Sequence, residues 1–151
     1  METNDLLSTD SVITDLKGSG KKQILQELSN RASEITKIES RAIFTTLLER
    51  EKLGTTGIGQ GVAIPHGKIS KLKKSFGIFA RLSEPVNFDA VDDQPVDLIF
   101  LLLAPDQASA EHLKTLARVS RLLRDQKLCQ KLRGSVGNDA IYSVFTESFS
   151  S

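Results

Sequence analysis

A chain of 151 residues, 39% of them hydrophobic, fits one domain with a full apolar core and leaves no second domain to be expected. Twenty lysines and arginines against nineteen aspartates and glutamates give a formal net charge of +1, which excludes an overall field that would select nucleic acid or an anionic membrane. The single cysteine, Cys129, excludes an internal disulfide, and with two histidines it makes a thin ligand set for a zinc site.

The lead, Met1-Glu2-Thr3-Asn4-Asp5, is acidic and polar where a signal peptide is basic and then apolar, so a cytoplasmic location is expected. Val12-Ile13 suits a short strand. From Lys21 the apolar residues Ile24, Leu25, Leu28, Ala32 and Ile35 recur at helical spacing and predict a first amphipathic helix. A second helix is expected from Ser40, as N-cap, through Ile43, Phe44, Leu47 and Leu48 to Leu53, where Gly54 stops it. Strands are predicted at Phe76 to Leu82, at Val86-Asn87-Phe88 and at Val96 to Ala104, punctuated by Pro85, Asp92-Asp93, Pro95 and Pro105. The last contains the longest apolar run, Leu98 to Ala104. That run is far below the roughly 20 residues a bilayer demands, so no membrane insertion is expected. Being apolar on both faces, it reads as a central strand covered by helices on each side. A third helix starts near an N-cap at Ser109 and runs to about Arg124, and two shorter ones follow, around Lys127 to Leu132 and Asp139 to Phe149. Helices at both ends around central strands predict an α/β fold: one three-layer domain spanning residues 1–151, with a mixed sheet flanked by helices on both faces.

The chemistry concentrates in Ala63-Ile64-Pro65-His66-Gly67-Lys68, which sets a histidine in a rigid turn. Proline fixes its own φ and biases Ile64 away from helix, while Gly67 offers φ freedom and room for something to approach the imidazole. Upstream, Gly54-Thr55-Thr56-Gly57-Ile58-Gly59-Gln60-Gly61 holds four glycines in eight residues, a loop whose amides could turn toward an anion. Its spacing is neither a P-loop nor a dinucleotide fingerprint. A neutral, accessible imidazole beside such amides suits covalent transfer of a phosphoryl group. Arg50 sits in the last turn of the second helix, where a cation complements the helix dipole, and equally just ahead of the glycine loop and His66. His112 falls on the side of its helix that carries Leu116, Val119 and Leu123, near a helix N-terminus that favours anions. A histidine there also suits plain core packing, and only proximity to His66 distinguishes the two. Lys68, Lys71, Lys73 and Lys74 form a basic run that reads as a solvated face or as docking for an acidic partner. Cys129 lies in a helical context and reads as an ordinary semi-buried thiol.

Three stretches together resemble a known family. Glu49-Arg50-Glu51 leading through Gly54 to Lys68 is similar to the phosphorylation-site signature of phosphotransferase-system EIIA proteins of the mannitol/fructose type. Ala80-Arg81-Leu82 through Gln94-Pro95-Val96-Asp97 to Pro105, with Glu111-His112-Leu113-Lys114 through Leu122-Leu123-Arg124-Asp125, resembles the nitrogen-regulatory branch in particular. The likeness covers nearly the whole chain. Its one local departure, Thr55-Thr56 in place of serine then threonine, keeps both hydroxyls.

The resemblance implies a single type-2 EIIA domain with a mixed sheet of about five strands. It implies that His66 accepts the phosphoryl group, on Nε2, from a phosphorylated HPr-like carrier. Arg50 then steadies the phosphoryl oxygens, and His112 supports the phosphorylated state without being the acceptor. No metal and no cofactor are called for. The chain would be a phosphotransferase-type component with a phosphohistidine intermediate, mainly regulatory, whose phosphorylation state governs targets such as potassium transporters or sensor kinases in nitrogen and carbon metabolism. Two other readings stay open: a sugar-specific EIIA that passes phosphate to the EIIB domain of a fructose or mannitol permease, and a pure binding protein in which the glycine loop is structural. A histidine-based metal hydrolase is set aside, since three protein ligands are usual and only two histidines exist.

Overall fold

The computed structural model describes residues 6–150. After a short 3-10 turn at Thr9–Ser11, the elements are β1 (Val12–Leu16), α1 (Lys21–Thr36), α2 (Ser40–Leu53), β2 (Gly57–Gly59), β3 (Val62–Ala63), β4 (His66–Ile69), β5 (Phe76–Val86), β6 (Val96–Pro105), α3 (Ser109–Arg124), α4 (Gln126–Gly134) and α5 (Asn138–Ser150). The strands form one mixed sheet in the order β1-β5-β6-β3-β2, with β4 also paired to β6.

β6 is central, and every residue from Leu98 to Ala104 is 0% exposed. Side chains alternate across a strand, so this continuous apolar run feeds two cores. Ile99, Leu101 and Leu103 pack with Ile24, Leu25 and Leu28 of α1 and Ile43 and Leu47 of α2. Leu98, Phe100 and Leu102 join Val119 and Leu123 of α3, Leu132 of α4, and Ile141 and Phe145 of α5 on the other face. The Phe145 ring meets Phe79 edge-on at 4.9 Å between centroids, a favoured aromatic arrangement. Leu6, Leu7 and Val12 belong to that same cluster, beside Phe149 near the far end of the chain. Cys129 is buried at 3% exposure and donates its Sγ–H to the Leu123 carbonyl at 3.2 Å. Burial pushes its thiol pKa up, as suits an inert core residue. Among the described residues no helix is long and apolar enough to cross a membrane.

The sheet has six strands where about five are expected, and Pro65 is the reason. β3 and β4 both run parallel to β6 in one unbroken register, Val62 opposite Leu98, Ala63 opposite Ile99, His66 opposite Leu102 and Gly67 opposite Leu103. They are one strand interrupted at Ile64-Pro65, where proline cannot donate to the ladder. Its carbonyl still accepts from the Leu102 N–H at 2.9 Å, so the chain stays in place across the gap.

Four further expectations are corrected. Glu39 rather than Ser40 is the N-cap of α2; Ser40 is already helical, and its hydroxyl donates to Asn30 Oδ1 at 2.6 Å. Ala108 rather than Ser109 is the N-cap of α3. Val86-Asn87-Phe88 is not a strand of its own, because β5 continues through Pro85 to Val86. The ladder shifts register between Arg81 and Val86, and proline is tolerated where pairing is irregular. The glycine-rich segment is a hairpin rather than an open loop: β2 and β3 pair antiparallel around Gln60 and Gly61, with φ of 58° and 83°. Positive φ at both turn positions is the type I′ requirement that glycine meets.

Arg81 ties distant parts of the chain together. Its Nη1 donates to the carbonyls of Leu132 (2.9 Å) and Ser135 (2.6 Å) at the end of α4, and its Nε to Thr14 of β1 (3.3 Å). A cation at a helix C-terminus satisfies orphan carbonyls and complements the dipole. Arg81→Met is therefore expected to lower the unfolding free energy by about 1.5–3 kcal/mol, as for hydrogen bonds to charged groups, measured by urea denaturation, with the His66 region unchanged in its NMR spectrum.

Candidate functional site

Arg50 reaches His66 because α2 ends where β4 begins. Its Nη1 donates to the Gly54 carbonyl at 2.8 Å, capping its own helix, and its Nε donates to His66 Nε2 at 3.3 Å. Helix capping and a role beside His66 are thus both served by one guanidinium. On the other side of the ring, His66 Nδ1 lies 2.8 Å from the Ile64 carbonyl. A carbonyl only accepts, so Nδ1 carries the ring proton, and Nε2, facing a donor, carries the lone pair.

His112 comes from the opposite layer. It lies in the first turn of α3, is 5% exposed, and its ring centroid is 5.8 Å from that of His66. The proximity that separates a site histidine from a core one is therefore present. Its Nδ1 is buried without a hydrogen-bond partner among the described residues, an unusual condition for a buried polar atom and one that functional sites tolerate. Lys68, two residues after His66, donates through Nζ to the hydroxyl of Ser109, which links β4 to the first turn of α3.

Both imidazoles are held below the ordinary histidine pKa of 6.5. Burial is the main cause for each. At His66 the Ile64 carbonyl opposes it, the Arg50 cation adds to it, and Glu51 opposes. At His112 the neighbouring His66 and Lys68 contribute in the same direction as burial. Near neutral pH the site therefore holds two neutral rings beside two cations, suited to receive an anionic group. The surrounding cleft, of about 550 Å³, is rimmed by Leu53 and Leu113, which are 85% and 65% exposed. Their place at a site is legible in the sequence only in that they are apolar residues on the polar side of their helices.

Several amides of the glycine-rich segment are committed internally and so are not free to cradle an anion. Thr56 N–H donates to Glu51 at 3.2 Å, Gly57 N–H to Thr55 Oγ1 at 3.0 Å, and Gln60 N–H to Asp92 at 2.8 Å. Glu51, 9% exposed, also takes the Thr56 hydroxyl and pairs with Lys21 of α1 at 2.7 Å. This brace, which the sequence did not announce, locks the start of the hairpin to the residue after Arg50. Gly67 lines the His66 cleft and has a second purpose besides the one expected. A Cβ there would lie 2.6 Å from Thr46 Cγ2, so the absent methyl also admits α2. Among the described residues no group of three or more histidines, cysteines, aspartates or glutamates is placed to hold a metal.

Residues 5–148 match the family model described as phosphoenolpyruvate-dependent sugar phosphotransferase system, EIIA 2. The chain is 57% identical over 144 residues to a nitrogen regulatory protein of Bradyrhizobium diazoefficiens, covering 95% of this chain and 94% of that one. The crystal structure of nitrogen regulatory protein IIA-Ntr from Neisseria meningitidis superposes with a TM-score of 0.89 at 34% identity, covering 94% and 97% of the two chains. IIA mannitol from Escherichia coli shares the fold at a TM-score of 0.78 and 20% identity, over 92% of this chain and 98% of that one.

Two predictions follow from the geometry. Because both histidines are neutral in the folded chain and their pKa is lowered, the unfolded chain takes up more protons below about 6.5. Stability is then lost as pH falls from that value toward the folded pKa. Urea midpoints should decline across this window, less steeply in His112→Asn, and imidazole NMR should show the Nδ1–H tautomer of His66 at neutral pH. Separately, Gly67→Ala should push α2 from β4 and cost about 1–3 kcal/mol as an overpacking change, with the Arg50–His66 contact loosened; urea denaturation and the His66 titration midpoint report the two effects.

Proposed function

The chain belongs to the EIIA 2 family of the phosphoenolpyruvate-dependent sugar phosphotransferase system, and from that premise we propose that it is a cytoplasmic phosphorelay protein of the nitrogen-regulatory branch that accepts a phosphoryl group from an HPr-like phosphocarrier on His66 Nε2. Phosphoryl transfer asks little covalent chemistry of the protein beyond a positioned nucleophile and donors for the oxygens. The observation that carries the reading is the hydrogen-bond pattern of His66, with Nδ1 committed to the Ile64 carbonyl and Nε2 left with its lone pair beside Arg50.

The Nε2 lone pair forms the bond to phosphorus while the bond from phosphorus to the carrier breaks, its electron pair staying with the carrier. The ring becomes more positive as Nε2 is substituted, and the Ile64 carbonyl then holds the Nδ1 proton more firmly. Arg50 exchanges its contact with Nε2 for the phosphoryl oxygens. His112, neutral and at hand, supplies a ring N–H to the same group without competing as acceptor. The exposed Leu53 and Leu113 give the carrier an apolar rim to dock on.

A phosphoryl group adds negative charge to this rim, offset in part by the positive charge the ring gains while Nδ1 keeps its proton, and that change recruits or repels a target surface. The 57% identical relative bears the name nitrogen regulatory protein, which favours regulation over sugar-specific relay. Potassium-transport proteins and sensor kinases are the targets to test. The deciding experiment is intact mass after incubation with enzyme I, phosphoenolpyruvate and the carrier. Wild type should gain one acid-labile phosphate and His66→Ala none. Arg50→Met should slow the reaction roughly 10²–10³-fold, the usual cost of losing one transition-state donor. Onward transfer to an EIIB domain would instead establish the sugar-specific role, and an unmodified but folded wild type would return the chain to the class of binding proteins.

A further inference from the structure

A second cavity, of about 400 Å³, lies between the C-terminal end of α1, the turn before β1 and the connection from β4 to β5. It shares no lining residue with the His66 cleft. Leu7, Ile35, Ile38, Leu72 and Phe76 make its apolar walls, and Lys71, Lys73 and Lys74 line it from the β4–β5 connection. All three lysines are exposed, and no carboxylate of the described residues pairs with them. Three ammonium groups within four consecutive residues repel one another, and nothing described offsets that repulsion.

The shape and the charge select the same kind of occupant. A concave, largely apolar cavity with a few charged groups at one side is the usual form of a small-molecule site, and its volume lies within the ordinary range of about 300–1,000 Å³. The walls favour an apolar moiety, which would displace water from the leucine and phenylalanine surfaces. The lysines require an anion. Thr36, the last residue of α1, also lines the cavity, and a helix C-terminus carries partial negative charge. An anion is therefore disfavoured at the α1 end and favoured at the lysine side, which fixes the orientation of an amphiphile. We propose that this cavity binds a small free anionic amphiphile, one apolar chain or ring bearing a carboxylate, phosphate or sulfonate, with its anion on Lys71, Lys73 and Lys74 and its apolar part against Leu7, Ile38, Leu72 and Phe76. The site is independent of the phosphoryl reading and stands whether or not His66 is an acceptor.

The test uses the full chain and the fluorescent probe 8-anilino-1-naphthalenesulfonate. Binding should be saturable with one probe per chain, displaced by decanoate, and accompanied by NMR shifts at Ile35 and Leu72. The triple variant Lys71→Glu, Lys73→Glu, Lys74→Glu, altered only at exposed positions, should keep its circular dichroism and urea midpoint. It should bind the probe about tenfold or more weakly, the scale of losing 1.4 kcal/mol of charge attraction. The uncharged N-phenyl-1-naphthylamine should be affected far less. Any of four results would overturn the proposal: no saturable binding, equal binding by the triple variant, probe shifts confined to the Leu53 and Leu113 rim, or association only with phosphatidylserine vesicles. If a variant lacking residues 2–5 binds the probe about tenfold tighter than the full chain, the occupant is the chain's own acidic lead, and the free amphiphile is excluded.

Discussion

Burial of β6 on both faces is the constraint from which the rest of the molecule follows. A strand with no solvated side requires apolar layers above and below it, and each layer here brings one element to the end of β4. α2, on one face, carries Arg50 in its last turn, and α3, on the other, carries His112 in its first. β4 is held in register on β6 and opens with His66 between them. The site is therefore assembled from both helical layers. Neither layer contains it alone, so the integrity of the core and the geometry at His66 are parts of one packing problem.

The electrostatics rest on the same arrangement. Packing against both layers withdraws part of the water from the two imidazoles and lowers their pKa, while Arg50 and Lys68 stand beside them. A protonated His66 would have no lone pair on Nε2, and a hydrated one would not be restricted to a single tautomer. Desolvation and the Ile64 carbonyl act together here: the first keeps the second proton off, and the second decides where the remaining proton sits.

Much of this was legible in the residues. An unbroken apolar run of strand length placed β6, helical spacing and end signals placed the first three helices, and the pairing of a turn-bound histidine with an upstream arginine singled out His66 and Arg50. What was not legible has physical reasons. Serines before helices suggested N-caps at Ser40 and Ser109, but their hydroxyls serve contacts with Asn30 and Lys68 from distant segments, which no local rule anticipates. The glycines suggested an anion loop, yet a type I′ hairpin makes the same demand for positive φ. Gly67 looked like access for a ligand, and the space it leaves also admits Thr46. For His112, core packing and site membership share one helical face, and only a distance separates them.

The first and last parts of the described chain meet in one place. Leu6, Leu7 and Val12 complete the same apolar cluster as Ile141, Phe145 and Phe149, and Arg81 joins Thr14 to the end of α4. During synthesis the opening residues therefore lack these partners until α5 has emerged. The α1–α2 cluster draws on nothing after Leu103, but β6 still lacks its second covering layer at that point. A chain cut before α5 loses part of the layer that carries His112 and leaves one face of β6 short of cover, so the settings of Arg50 and of the second histidine stand or fall together.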